Sequence, residues 1–281
     1  MAIHPFDRLR CPLDNHPLRQ EQGSWRCSDG HSFDIARQGY VHLLPVQKKR
    51  SRDPGDSKDM VAARRRFLNA GYYRPIALAV TKAVLADARG GDALSCLDAG
   101  CGEGYYLREL ADAAAKGPDL SLLGLDISKW AVQAAAGQDK RPSWVVGSNA
   151  NLPVESGSLD RLLCLFGFPV YPEFARVLKP GGQLLRVGAG PEHLRQLREI
   201  VYPELKPERQ QRSEAPEGFR ELATEAVDFP LVLDDSGAIA DLLAMTPHLY
   251  RANAEGRARA AALTELTLTV AVQVTRLERV R

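Results

Sequence analysis

The sequence has no apolar run approaching the ~18–20 residues that a membrane span needs, so no segment of it reads as a transmembrane helix. It also lacks an apolar stretch behind its basic first residues, Met1 to Pro12, which excludes reading them as a secretory signal. Both absences lead us to expect a cytoplasmic chain. An even, regularly spaced cysteine set is missing too. The five cysteines stand at 11, 27, 96, 101 and 164, odd in number and scattered, which suits thiols or metal ligands better than a disulfide framework. No internal repeat or low-complexity tract interrupts the chain.

Net charge is nearly absent as well, at +2 over 281 residues. The distribution says more than the total. Residues 1–75 carry 14 Lys and Arg against 8 Asp and Glu, and the balance reverses over the remainder. The runs Lys48-Lys49-Arg50-Ser51-Arg52 and Arg64-Arg65-Arg66 concentrate that excess and mark where a polyanion would land. Solvated faces and loop tips are the ordinary alternative for such runs. What is present in quantity is apolar: 44% hydrophobic residues, with 26% charged, provide for one large domain and a small one.

Three zones follow from the patterning. Residues 1–47 are turn-rich with short β-like stretches, such as Ser24-Trp25-Arg26 and Tyr40 to Leu44, and read as a small ribbon module. Residues 48–90 form a polar, basic connector broken by Pro54-Gly55, then helices at roughly 57–70 and 75–89. From 91 to 281 short apolar strands alternate with helices. Strands are expected near 93–97, 121–125, 143–147, 159–165 and 183–188, which implies a parallel sheet covered on both faces. A late strand at 266–274 is expected to run antiparallel inside or beside the sheet edge, while 204–222 resists assignment.

The most informative segment is Leu97-Asp98-Ala99-Gly100-Cys101-Gly102-Glu103-Gly104-Tyr105-Tyr106, at the carboxyl end of the first of these strands. Open α/β sheets bind ligands at that edge. Glycines at alternating positions let main-chain N–H groups approach a ligand without Cβ obstruction. The spacing is G-x-G-x-G, not the G-x-G-x-x-G of dinucleotide binders, although NAD remains the chemical runner-up. Asp126, followed by Ile127, ends the next strand, where a carboxylate can accept from both hydroxyls of an adenosine ribose. Ser148 and Asn149 follow the third strand and are placed to contact adenine. Order and spacing together resemble class I S-adenosylmethionine-dependent methyltransferases, which implies a Rossmann-like, doubly wound α/β domain.

A closer resemblance covers nearly the whole chain. The string from Gly39 through Ser57, then Arg64-Arg65, Gly71-Tyr72-Tyr73 and the loop above, is similar to the RlmA family of 23S rRNA guanine-N1 methyltransferases. The resemblance implies S-adenosylmethionine contacts at Tyr73, at the Gly100–Tyr106 loop, at Asp126 and at His193. It also implies an amino-terminal zinc module of spacing C-x2-C-x12-C-x3-H, here Cys11, Asp14, Cys27 and His31, so a carboxylate stands where the family has a thiolate. Two readings are open: a Cys-Asp-Cys-His zinc site, or a ribbon without metal that rests on Trp25, Phe33 and packing. His16 is a possible substitute ligand. The implied partner is a hairpin loop of 23S rRNA, met by Lys48, Lys49, Arg50, Arg52, Arg64 and Arg65, and relatives suggest a homodimer.

Guanine N1 carries a proton at neutral pH that must leave, and Asp53 and Asp56 are the carboxylates nearest the basic loop; turn formation and helix capping are their competing roles. Phe166-Gly167-Phe168-Pro169 follows the fourth strand, where class I enzymes contact the substrate base. A small-molecule methyltransferase with a vestigial ribbon, and a nonenzymatic RNA-binding protein that keeps the cofactor pocket, are the alternative functions.

Overall fold

A computed structural model describes residues 2–48, 51, 53–87, 93–113, 117–205 and 214–280. The strands are β1 (Ile3–His4), β2 (Arg19–Glu21), β3 (Ser24–Arg26), β4 (Ser32–Asp34), β5 (Tyr40–His42), β6 (Leu94–Ala99), β7 (Leu120–Asp126), β8 (Ser143–Val146), β9 (Leu159–Leu165), β10 (Leu178–Ala189), β11 (Phe219–Leu233) and β12 (Leu266–Arg279). The helices are α1 (Lys58–Asn69), α2 (Arg74–Leu85), α3 (Tyr105–Ala113), α4 (Lys129–Gln138), α5 (Tyr171–Val177), α6 (Arg195–Val201), α7 (Ser236–Met245), α8 (His248–Arg251) and α9 (Ala254–Ala261).

Among the described residues one nine-stranded sheet runs β11-β12-β10-β9-β6-β7-β8-β5, with β1 paired to the start of β7. Strands β5 to β10 pair in parallel, and β12 runs antiparallel to both its neighbours. The late strand thus lies inside the sheet rather than at its edge. Its partner β11 begins at Phe219, inside the stretch that had no assignment from sequence. The central strands are apolar on both faces, as in LSLLGLD of β7 and LDRLLCL of β9, because helices or loops cover each side.

On one face Ile76 and Val80 of α2, Leu107 and Leu110 of α3, and Leu242 of α7 close over the sheet. On the other, Phe174 and Val177 of α5 share a core with Phe6, Leu9, Leu18 and Trp25. The first 47 residues are therefore not set apart from the sheet: β1 and β5 join it, and only β2, β3 and β4 make a separate ribbon. Strands of two or three residues carry no periodicity of their own, so their long-range pairing leaves no mark in the sequence.

Local chemistry fixes the helix starts around the site. The Ser57 hydroxyl accepts from the Met60 amide at 3.3 Å to cap α1, so Ser57 and not Asp56 is the capping residue. Ser128 caps α4 through the Ala131 amide at 3.3 Å and donates its own hydroxyl to the Asp56 carbonyl at 2.7 Å. That second bond fastens the connector to the end of β7. Among the described residues no helix is long and apolar enough to cross a membrane.

Candidate active site

At the carboxyl edge of the sheet, β6 turns into α3 through Gly100, Gly102 and Gly104, all with positive φ. The Gly100 and Cys101 amides both donate to the Leu125 carbonyl, at 2.8 and 3.0 Å, which latches the loop over the end of β7. Gly102 and Ser128 donate their amides to the two oxygens of Asp126, at 2.9 and 2.8 Å. Burial pushes the Asp126 carboxyl up and these two amides pull it back. Each oxygen keeps a lone pair for a ligand.

The three glycines divide the work. Gly100 and Gly102 line a cavity of about 1470 Å³, together with Glu103, Tyr105, Tyr106, Asp126 and Ile127. Gly104 is not in its wall. A Cβ there would stand 2.5 Å from the Trp144 ring, and one on Gly124 would stand 2.3 Å from it, so both glycines make room for a buried tryptophan. Glu103 is 1% exposed and ties Arg108 (3.0 Å) and Gln138 (2.6 Å) beneath the loop.

Asp98 lies under the same loop at 1% exposure, outside the cavity wall. Neither of its oxygens has a hydrogen-bond partner among the described residues, and burial, with Asp126 adding, raises its pKa to about 8. A buried carboxyl left this way is unfavourable until it is protonated or a donor arrives. Asn149 shows the same incompleteness in the wall itself: its Nδ2 donates to the Ala99 carbonyl at 3.3 Å while Oδ1 is buried without a partner among the described residues. An acceptor for an exocyclic amine, a carboxylate for a diol and an open glycine backbone, with Ser148 beside them, fit S-adenosylmethionine.

Tyr73, at the start of α2, is 4% exposed and meets Phe166 and His193 at ring separations of 6.3 Å each. His193 precedes α6 by two residues and bonds to the sheet rather than capping the helix, its Nδ1 accepting from the Ala271 amide at 3.3 Å. Burial, then His248 and Arg198, lower its pKa to about 4, so it is neutral near pH 7 with the hydrogen on Nε2. Phe166 stacks on His193 at 5.9 Å from a left-handed backbone, φ 56, a conformation rare outside glycine.

The two carboxylates singled out for proton removal part company. Asp56 lines the cavity and is ion-paired with Arg64, whose other nitrogen donates to the Met245 carbonyl at 3.0 Å. Asp53 lies in a small separate recess with Pro54, Ile127 and Trp130. Arg64 is thus part of the cavity wall, while Arg65 is exposed on α1. Lys49, Arg50 and Arg52 lie outside the described residues, and of Lys48 only the backbone is described. The far wall, with Tyr171, Arg186, Glu221 and the segment Met245 to His248, belongs to no motif; register and helix packing bring it here.

In the ribbon, Cys11, Asp14, Cys27 and His31 offer four donor atoms within 4.8 Å of one another. The His31 Nδ1 lies 2.7 Å from Asp14 Oδ2, 3.4 Å from Cys27 Sγ and 3.6 Å from Cys11 Sγ, and the Cys27 thiol donates to Asp14 at 3.0 Å. Tetrahedral zinc with bonds of about 2.0–2.3 Å needs ligand separations of about 3.3–3.8 Å, so the set fits the ion with a small expansion. Burial raises the Cys11 thiol to about 11. Burial opposes ionisation of Asp14, but hydrogen bonds from Cys27, the His16 amide, Cys11 and His31 outweigh it and hold the carboxyl below its ordinary range. His16 stands outside the quartet, hydrogen-bonded to Ser28 at 3.0 Å.

Comparison with known proteins agrees with both regions. Residues 9–52 match the family described as RlmA, N-terminal, a zinc ribbon, and residues 96–182 match a methyltransferase domain, which sets the NAD reading aside. The chain is 39% identical to a 23S rRNA (guanine-N(1)-)-methyltransferase, so described provisionally, of Micromonospora griseorubida, over 69% of this chain and 70% of that protein. It is 38% identical to the 23S rRNA (guanine(748)-N(1))-methyltransferase of Streptomyces fradiae, over 67% and 66%. Against YxjB of Bacillus subtilis (strain 168), given the same provisional guanine-N(1) description, the identity is 31% over 88% of each chain. With the donor quartet, the glycine loop and its ribose carboxylate all in place, the chain belongs to the family of 23S rRNA (guanine-N(1)-)-methyltransferases.

Proposed function

We propose that this protein transfers a methyl group from S-adenosylmethionine to N1 of a guanine in 23S rRNA. The observation that carries the reading is the cavity that joins the Gly100–Tyr106 loop to an aromatic rim, in a chain whose ribbon also holds a complete donor quartet. S-adenosylmethionine, when bound, supplies an electrophilic methyl on a positively charged sulfur. The protein's part is to position, since an in-line nucleophile is most of what such a transfer needs.

Asp126 takes the ribose diol, Asn149 and Ser148 face the adenine, and Tyr73, Tyr105, Tyr106 and His193 surround the amino-acid end. Asp56 is spent on its pair with Arg64 and on joining the connector to β7, so it builds the wall rather than removing a proton. The N1 proton leaves to solvent. Phe168, 87% exposed at the cavity mouth, offers a stacking surface for a base lifted out of its helix. That requirement favours a hairpin loop as the target.

Cys11, Asp14, Cys27 and His31 would hold zinc, which would fix the ribbon that meets the RNA. Arg19 and Arg26 stand directly opposite each other on β2 and β3, both exposed. Like charges facing across strands are unfavourable in isolation and are offset by a polyanion. The outer edge of β11, unpaired among the described residues, is the surface that supports a homodimer.

The test is incubation with tritiated S-adenosylmethionine and unmodified 23S rRNA, followed by nuclease digestion. Label in 1-methylguanosine is expected. Label absent from nucleosides, or found in a metabolite extract instead, overturns the proposal.

A further inference from the structure

We infer that Arg186 reads the O6 and N7 edge of the target guanine, selecting guanine over adenine at the transfer site. This rests on the guanine-N1 reading above. Arg186, on β10, lines the cavity beside Tyr171, and donates to that hydroxyl at 3.0 Å. Among the described residues this is the one hydrogen bond its guanidinium makes, and it forms no ion pair there. A guanidinium presents five N–H donors in a planar fork, so most of this fork is left facing the cavity.

Its place in the sheet sets its distance from the chemistry. Arg186 is in register with Cys164 of β9, and Asp98 of β6 with Leu163, so Arg186 and Ala99 share a row two strand spacings apart. At about 4.8 Å per spacing, roughly 10 Å separates their backbones, and the glycine loop starts at the next residue. Both line one cavity, so a base held at the loop comes within reach of the guanidinium.

The surroundings argue for a neutral base over a phosphate. Glu214, Glu217 and Glu221 line the same cavity and would repel a phosphodiester. With N1 turned toward the methyl group, guanine presents O6 and N7 on the adjoining edge, the pair of acceptors that an arginine fork matches. Adenine would set an amino donor against that fork. During the transfer the methyl carbon–sulfur bond breaks, the carbon–N1 bond forms and the N1 proton goes to water. Loss of that proton moves negative charge onto O6, where the guanidinium stabilises it.

The experiment compares full-length wild type, R186M and R186K on 23S transcripts made with guanosine or with 7-deazaguanosine, which lacks the N7 acceptor. Wild type is expected to slow about tenfold or more on the deaza transcript. R186M should be slow on both, with a ratio near one, and its rate should rise only at higher pH. R186K keeps the charge without the fork, guards against misfolding, and should also lose the N7 dependence. S-adenosylmethionine affinity should be unchanged in both variants. A variant that keeps the wild-type ratio overturns the inference, as does one in which only KM and its salt dependence change, the mark of a phosphate contact. If wild type forms no 1-methylguanosine on either transcript, the functional reading itself fails.

Discussion

Around Asp126 the protein's own amides hold the carboxylate and the glycine loop in position, whereas around His31 four metal-binding side chains crowd together with little but one another for partners. The pocket is braced by a central sheet and by Trp144 filling the space that Gly104 and Gly124 leave. The ribbon contributes Trp25 and Cys27 to the core beneath it, but its three short strands pair only with one another. One site is shaped by the fold before its ligand arrives. The other is a cluster that a metal ion would complete.

Removing metal should break this comparison most visibly. Chelation is expected to unfold the β2–β4 ribbon, because structural zinc supplies folding free energy directly. Trp25 fluorescence should shift to the red while S-adenosylmethionine affinity holds. Equal loss at both sites would show that the two regions are one cooperative unit. Next in size, Gly104→Ala should cost about 3 kcal/mol, from overpacking against Trp144 and a left-handed backbone, and lower the melting temperature. Gly100→Ala is the matched contrast: its Cβ meets nothing within 4 Å, so it carries the positive-φ strain without the overpacking and should cost less stability than Gly104→Ala.

Acidification sharpens the picture of a pocket built around neutral imidazoles. His193 and His248 have folded pKa values of about 4, below the ordinary 6.5, because of burial first. The unfolded chain therefore takes up protons first as pH falls. The stability these residues allow is complete above about 6.5 and declines toward 4, by up to about 2 kcal/mol at pH 5 for His193 and by less for the more exposed, solvent-screened His248. Denaturant unfolding at pH 7 and pH 5, with His248→Gln flattening the difference, checks the sign. The smallest effect is expected for Asp14→Cys, which should slow zinc release to a chelator and leave methyl transfer unchanged.

What the sequence disclosed, and what it withheld, follows from how local each signal is. The glycines announced themselves because backbone φ and Cβ exclusion act within a few residues, and the Asp126 position follows from counting one strand onward. Even there, Gly104 looked like its two neighbours, since nothing local reveals that Trp144, 40 residues on, occupies the space. The insertion of β1 and β5 into the sheet, and the meeting of Arg186 with Tyr171, depend on strand register across the whole domain. Asp53 and Asp56 are three residues apart and equivalent as a pattern, yet Ser128 draws only Asp56 to the cavity.

Isothermal titration of S-adenosylmethionine into wild type and Asp126→Ala tests the pocket most directly. Saturable binding by the wild type, weakened about a hundredfold by loss of roughly 3 kcal/mol of charge-assisted hydrogen bonding in the variant, is the expected result. Wild-type protein that takes up no S-adenosylmethionine, or a variant that binds it equally well, would contradict the assignment of this sheet edge as the methyl-donor site.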